Sequence, residues 1–315
     1  MRRWMCLILS GVLMISLTAC GESPAEPEPS GDEVAAAFTD DLGREVAIRR
    51  PRRVATLIGS FADIWCLAGG KDTLVATADD TWTQFDLDLD GDVTNLGAIK
   101  TPNVELLLAA EPDFVIGSTK TAANVELEPL LEQAGIPVAY FDVSSFDDYL
   151  HMLEICTQIT GCRENYDRYG TGVADQVAAA RERIAGEAPT VLYVRATGSS
   201  CKAKNSQDSV LGEMLADLGC VNIADGGSGL LENLSMEIII ERDPDYIFAV
   251  LQGSDTTDAQ RVLEAELLSN PAWNELTAVR SGRYHILDSK LYNLKPNARW
   301  GEAYEKLADI LYPAD

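Results

Sequence analysis

Four charged or aromatic residues follow closely on predicted β-strands: Trp82, Lys120, Arg195 and Tyr292. In open sheets of parallel strands, ligands bind beyond the carboxyl ends of the strands. The guanidinium of Arg195 and the ammonium of Lys120 suit an anionic ligand. The rings of Trp82 and Tyr292 suit a flat or catecholate ligand. The sequence therefore predicts a ligand-binding site made of these four side chains.

A second pattern occurs twice, with a separation of 132 residues. Each copy has a helix-capping residue (Asn103, Ser235), a glutamate two positions later (Glu105, Glu237), three apolar residues and a Pro-Asp stop. The match indicates an internal duplication, with convergent β-α sequences as the alternative. A glutamate in the first helical turn also stabilises the helix dipole, so the position has a structural explanation as well.

Several classes of chemistry lack support in the sequence. No G-x-G-x-x-G, G-x-x-x-x-G-K-[ST] or G-x-S-x-G pattern occurs, which disfavours an αβ enzyme, the main alternative. The two histidines, His151 and His285, are too few for a histidine-rich metal site, and we expect no resident metal or cofactor. His285 falls in a strand pattern and is expected to pack, whereas His151 is expected on a helix surface. The net charge of −25 disfavours nucleic-acid binding.

The amino terminus has the pattern of an exported, lipid-modified chain. A basic start is followed by an apolar stretch, Leu7 to Leu17, that is short for a membrane span. Leu17-Thr18-Ala19-Cys20 resembles the bacterial lipobox, so we predict a signal peptide over 1–19 and lipidation of Cys20. Residues 20–37 are rich in Pro, Glu and Ser, which predicts a flexible linker. Five cysteines remain, and we expect most of them to be buried thiols.

Beyond the linker, a predicted hairpin turns at Asp41-Leu42-Gly43, and strands and helices then alternate. This alternation predicts an α/β fold of two Rossmann-like αβ lobes with mainly parallel sheets and a ligand cleft between them. The predicted strands are 54–58, 74–77, 114–116, 138–141, 191–194, 221–223, 246–250 and 284–287. The predicted helices are 61–67, 103–110, 124–134, 210–218, 235–241 and 259–268.

One long helix is predicted between the lobes. Apolar residues recur in steps of three or four from Tyr166 to Ile184, which gives one apolar stripe. The predicted organisation is an N-terminal lobe over 38–162, a connecting helix over 163–185 and a C-terminal lobe over 186–315. A stiff connection of this kind permits only limited closure of the lobes. Gly170 and Gly172 allow close packing or a break near the start of this helix.

This combination of features resembles the solute-binding proteins of ABC importers for ferric siderophores, haem and cobalamin. The resemblance covers about residues 38–312. It is carried by the segments Arg52–Leu57, Pro102–Leu107, Leu234–Glu237, Asn270–Val279 and Arg283–His285.

The resemblance implies that Glu105 and Glu237 dock onto arginines of two permease subunits, with a separate ATPase that powers import. It implies a monomeric, extracytoplasmic, lipid-anchored binding protein without enzymatic activity. A preformed iron chelate needs no protein metal ligand, so a ferric siderophore is the first choice, with haem or cobalamin as alternatives. A surface adhesion or scaffold lipoprotein is the remaining alternative from another class.

Overall fold

A β-hairpin opens the part of the chain described by the structure, a computed structural model that covers residues 34–207, 209–226, 229–253 and 255–313. Strands β1 (Val34–Thr39) and β2 (Glu45–Arg49) pair antiparallel. The carboxylate of Asp40 accepts hydrogen bonds from the backbone amides of Leu42, Arg44 and Tyr140 and from the Arg44 side chain, which fixes the turn to the first sheet. Because β1 begins at Val34, the predicted linker is too long by four residues at its end.

The first lobe contains a five-stranded parallel sheet with the order β5-β4-β3-β6-β7. Its strands are β3 (Val54–Thr56), β4 (Leu74–Thr77), β5 (Thr94–Asn95), β6 (Phe114–Ser118) and β7 (Val138–Phe141). The helices between and after them are α1 (Gly59–Leu67), α2 (Asp80–Gln84), α3 (Val104–Ala109), α4 (Ala122–Val125), α5 (Glu128–Gln133) and α6 (Phe146–Thr160).

The connection between the two sheets is helical, as predicted, but shorter than 163–185. It consists of α7 (Glu164–Tyr166), a π-helical segment (Asp167–Thr171) and α8 (Gly172–Arg181). The π-helical segment contains the buried Gly170, where a Cβ would lie 3.0 Å from the Tyr166 ring. Close packing at Gly170 therefore explains the glycine that interrupts the predicted pattern.

The second lobe has the strand order β10-β8-β11-β12, which repeats β4-β3-β6-β7 of the first lobe without a counterpart of β5, and β9 pairs antiparallel with β8. Its strands are β8 (Thr190–Ala196), β9 (Cys201–Lys204), β10 (Val221–Asn222), β11 (Tyr246–Leu251) and β12 (Tyr284–Leu287). Its helices are α9 (Val210–Asp217), α10 (Met236–Arg242), α11 (Thr257–Leu263), α12 (Thr277–Arg280), α13 (Ser289–Tyr292) and α14 (Trp300–Leu311). Two mainly parallel αβ lobes are thus confirmed.

The largest hydrophobic core is shared by the two lobes. It runs from Phe141 in the first sheet through Leu153 of α6, Val177 of α8 and Leu307 of α14 to Tyr193 in the second sheet. Since α14 returns along α8, the two lobes are joined by two packed helices rather than by a bare linker. None of the helices in the described residues has both the length and the apolar character needed to cross a membrane.

Candidate functional site

The carboxyl ends of β3 and β4 hold Trp82 in place through a chain of buried hydroxyl groups. Thr77 Oγ1 lies 2.7 Å from Thr56 Oγ1 and 2.8 Å from Thr81 Oγ1, which fixes the start of α2. The Gly59 amide donates to both carboxylate oxygens of Asp80, at 2.9 and 3.0 Å. On this support the Trp82 side chain is 43% exposed, as a ligand-stacking ring requires.

Lys120 follows the carboxyl end of β6, where the sequence places it. Its ammonium forms an ion pair with Asp142, which follows the neighbouring strand β7, at 3.1 Å. Both side chains are partly exposed, so the pair contributes little to stability.

Arg195 is the penultimate residue of β8, on the corresponding edge of the second sheet. Its Nη1 donates to Asn293 Oδ1 at 3.1 Å, which orients the guanidinium. Asn293 follows α13 and was not among the predicted site residues. One hydrogen bond leaves most of the five guanidinium donors for other acceptors.

Lys295 is a cationic residue of this region that the sequence analysis missed. Its Nζ lies 5.7 Å from the centre of the Phe61 ring, although Phe61 belongs to the first lobe and Lys295 to the second. Burial lowers the pKa of Lys295 and nearby Lys120 acts in the same direction, whereas Asp142, Asp80 and Asp148 oppose the shift. Among the residues that the structure describes, Lys295 forms no ion pair.

Asn297, two residues later, joins the lobes directly. Its Nδ2 donates to the Ser60 carbonyl at 2.8 Å and to Asp63 Oδ2 at 2.7 Å. Asn297 is fully buried and has a positive φ of 51°, which is uncommon for a residue other than glycine. The segment 293–299 therefore carries Lys295 from the second lobe to the first.

The position of Tyr292 contradicts its predicted role as a ligand-stacking residue. Its side chain is 2% exposed, and its hydroxyl donates to the Ala303 carbonyl at 3.0 Å. The ring belongs to the core between α13 and α14, because α13 turns the residue inward after β12. Trp82 and Lys120 are exposed and Arg195 is half-buried, and the role of these three residues stays a prediction.

The histidines and cysteines lie largely as expected. His285 stacks on Phe248 with ring centres 5.8 Å apart, and burial lowers its pKa, whereas His151 is exposed on α6. Cys156, Cys201 and Cys220 are buried, and all five described cysteines are free thiols. No group of three or more His, Cys, Asp or Glu side chains within the described ranges is placed to hold a metal ion. Cys20 lies outside those ranges.

Glu105 and Glu237 do not lie together, because each occupies the first turn of a short helix in its own lobe. Helices α3 and α10 begin at matching capping residues: Asn103 accepts from the Leu106 amide at 3.0 Å and Ser235 from the Ile238 amide at 3.5 Å. Each of these helices precedes a strand, so in a parallel sheet its first turn lies on the side of the carboxyl ends.

The two helices also end alike. Both are followed by a non-glycine residue with positive φ, Glu111 at 46° and Asp243 at 36°. An aspartate then accepts hydrogen bonds from the backbone at the start of a neighbouring strand: Asp113 from Arg52 and Arg53, and Asp245 from Thr190. These equivalent contacts support the internal duplication.

Comparison with known proteins gives relatives along most of the chain. The chain is 22% identical over 307 residues to the putative ABC transporter substrate-binding lipoprotein YhfQ of Bacillus subtilis, with 92% of each chain covered. It is 24% identical over 292 residues to the ferric-anguibactin-binding protein FatB of Vibrio anguillarum, covering 88% of this chain and 87% of FatB.

A solved structure shares the fold. The periplasmic heme-binding protein RhuT from Roseiflexus sp. RS-1 superposes with a TM-score of 0.67 at 23% identity, over 83% of this chain and 98% of that one. Residues 54–291, which include both sheets and the residues Trp82, Lys120 and Arg195, match the family profile described as periplasmic binding protein. The chain therefore belongs to the periplasmic binding protein family.

Proposed function

We propose that this chain is the solute-binding lipoprotein of an ABC importer and that it captures a ferric siderophore with anionic groups between its lobes. The observation that carries the proposal is that Lys120 and Arg195 lie near the carboxyl ends of strands in the two sheets, while Lys295 of the second lobe reaches Phe61 of the first. Cations from both lobes suit a ligand that bridges them. Trp82 adds an exposed ring at the same edge for a flat or catecholate part of the ligand.

The relatives support transport of a metal chelate. FatB is named for ferric anguibactin and RhuT for heme, and both names specify iron bound to an organic molecule. A chelate brings its own metal, and we therefore assign no resident cofactor and no enzymatic turnover to the chain. Haem and cobalamin remain the alternative ligands.

Attachment to the membrane is proposed through lipid on Cys20. The sequence 17–20 has the lipobox pattern, and YhfQ carries the word lipoprotein in its name. The acidic linker that follows gives the monomeric binding protein reach over the extracytoplasmic face of the membrane. The net charge of −25 agrees with a partner other than nucleic acid.

Docking is proposed through Glu105 and Glu237. One exposed carboxylate on each repeat, in equivalent first turns, suits arginines on two permease subunits. Charges at the rim of an interface guide encounter and orientation more than they supply affinity. The loaded protein then releases its ligand to the permease, whose separate ATPase powers import.

The ligand class is tested by titration of the detergent-solubilised lipoprotein with ferric citrate, a ferric catecholate, haem and cyanocobalamin. Calorimetry gives the stoichiometry, and tryptophan fluorescence, with Trp82→Phe as control, reports on the cleft. We expect saturable one-to-one binding of an anionic ferric chelate. Binding of cyanocobalamin alone, or of none of the four, would contradict the ligand assignment.

The docking assignment has its own test. Glu105→Ala combined with Glu237→Ala is expected to abolish uptake of the radiolabelled ligand in cells and to leave its affinity unchanged. Loss of ligand binding in this double variant would show that the two carboxylates serve the cleft or the fold rather than the permease.

A further inference from the structure

Helices α3 and α10 expose apolar side chains beside their glutamates. Leu106 is 41% exposed, Leu108 36% and Ile240 44%. The adjacent residues Leu107 and Ile239 are fully buried. Ten large hydrophobic side chains are exposed in the described part of the chain, and three of them belong to these two short helices. Scattered exposure of single residues is ordinary, but this concentration on two equivalent elements is not.

The exposed residues occupy equivalent positions in the two repeats. Leu108 and Ile240 each lie three residues after the glutamate of their helix, and a spacing of three places two side chains on one helix face. The matching caps and matching left-handed residues after each helix give both copies the same backbone course. Each lobe therefore presents a carboxylate and an apolar side chain next to each other.

The repeats differ in one respect. Leu106 is exposed, whereas its counterpart Ile238 is partly buried against the hydrophobic core of the second lobe. The first lobe thus offers two apolar side chains and the second lobe one. The acidic residues alone do not distinguish these helices, because the chain has 50 Asp and Glu residues. The apolar groups do distinguish them.

We propose that Leu108 and Ile240, together with Leu106, are apolar contacts of the docking surface, and that the occupant is the pair of membrane-spanning subunits of the importer. This inference rests on the proposed function. Two equivalent surfaces on one chain fit a partner with two equivalent sites, each with a cationic group for the glutamate and an apolar recess beside it. Desolvated apolar side chains supply affinity, whereas the charged pairs at the rim fix orientation.

The test compares variants of the full lipoprotein in their binding to the permease–ATPase complex in nanodiscs. Leu108→Ser with Ile240→Ser removes the apolar groups, and Leu108→Met with Ile240→Met retains them. Ile286→Ser is the matched control, because Ile286 is 50% exposed and belongs to β12 rather than to either helix. Glu105→Gln with Glu237→Gln reports on the charged pairs, and the affinity of each variant for the ligand reports on its fold.

We expect the serine pair to weaken binding about tenfold or more at both low and high salt. The methionine pair and Ile286→Ser are expected to bind like the wild type, and the glutamine pair to lose affinity mainly at low salt. All variants are expected to keep their affinity for the ligand.

Other outcomes would overturn the inference. If the glutamine pair weakens binding and the serine pair does not, the apolar contacts are absent and the proposed function stands. If neither pair changes binding, the docking surface itself lies elsewhere. Binding of the wild type, but not of the serine pair, to nanodiscs without the complex would identify a lipid surface as the occupant. Loss of a dimer in the serine pair would identify a second copy of the chain.

Discussion

Removal of the Lys295 ammonium is expected to weaken the binding of an anionic chelate selectively. In Lys295→Gln, the side chain loses the charge that no described carboxylate pairs with, and with it the cation–π contact with Phe61. A cation–π contact contributes about 0.5–1 kcal/mol at an exposed site, so the larger loss is expected in the interaction with the ligand.

The size of the effect follows from the interaction of two unit charges. An ammonium and a ligand carboxylate 4 Å apart attract by about 4 kcal/mol at an effective dielectric constant of about 20. Desolvation of both groups offsets part of this attraction, and hydrogen bonds to charged groups contribute about 1.5–3 kcal/mol net. We therefore expect affinity for the anionic chelate to fall roughly 10- to 150-fold.

Calorimetric titration at several pH values measures the change. Since burial lowers the pKa of Lys295, the wild type is expected to lose affinity as the pH rises through that lowered value, where the ammonium loses its proton. Lys295→Gln should show a flatter pH profile. Lys71→Gln is the matched control, because Lys71 precedes β4 and lies at the opposite end of the strands.

Two results would refute this reasoning. Unchanged affinity of Lys295→Gln for the anionic chelate would show that the ammonium does not contact the ligand. An equal loss for Lys71→Gln would show that net charge, rather than the position of Lys295, controls binding.

Three further predictions concern the elements that position the site. Asp40→Asn should lower the free energy of unfolding by about 2 kcal/mol or more at neutral pH. Burial opposes ionisation of Asp40, but the hydrogen bonds from Arg44 and from the backbone hold its pKa low. In urea unfolding, the difference in free energy between wild type and variant should therefore shrink as the pH falls through that low pKa. Asp63→Asn should raise Tm at neutral pH, because burial raises the pKa of Asp63 and ionisation of the buried carboxyl destabilises the folded state. Below the usual pKa of an aspartate, where the carboxyl is protonated in both the folded and the unfolded state, the variant should have no advantage in Tm. Gly59→Ala should cost about 1–3 kcal/mol and weaken ligand binding, since its Cβ would lie 2.7 Å from the Thr81 amide, whereas Gly91→Ala, with no atom within 4 Å, should do neither.

The parts of the fold with a clear local pattern were predictable from the sequence. β4, β7 and β12 have the predicted bounds, because each is a short run of apolar and β-branched or aromatic residues between turn residues. The predicted helices do not include the bounds of α6, although His151 is expected on a helix, and they do not include α14. The predicted connecting helix extends to 185, whereas α8 ends at Arg181 and Ile184 is exposed.

The candidate site was predictable where a residue directly follows a strand. Arg195 and Lys120 lie at the carboxyl ends of β8 and β6 because the topology of a parallel sheet fixes that edge. Tyr292 and Lys295 depend instead on the path of the chain after β12. A single helical turn, α13, directs Tyr292 into the core, and the following loop takes Lys295 to the other lobe. No local periodicity encodes that path.

The same loop links the proposed ligand site to the arrangement of the lobes. Asn293 orients Arg195, Lys295 covers Phe61, and Asn297 binds Ser60 and Asp63 within seven residues of chain. A large swing of the lobes would break the Asn297 contacts and separate the core packed along α8 and α14. Interfaces packed in this way favour small shear movements over wide hinge opening. Ligand capture is therefore expected to involve modest closure, with most of the cationic site formed before the ligand arrives.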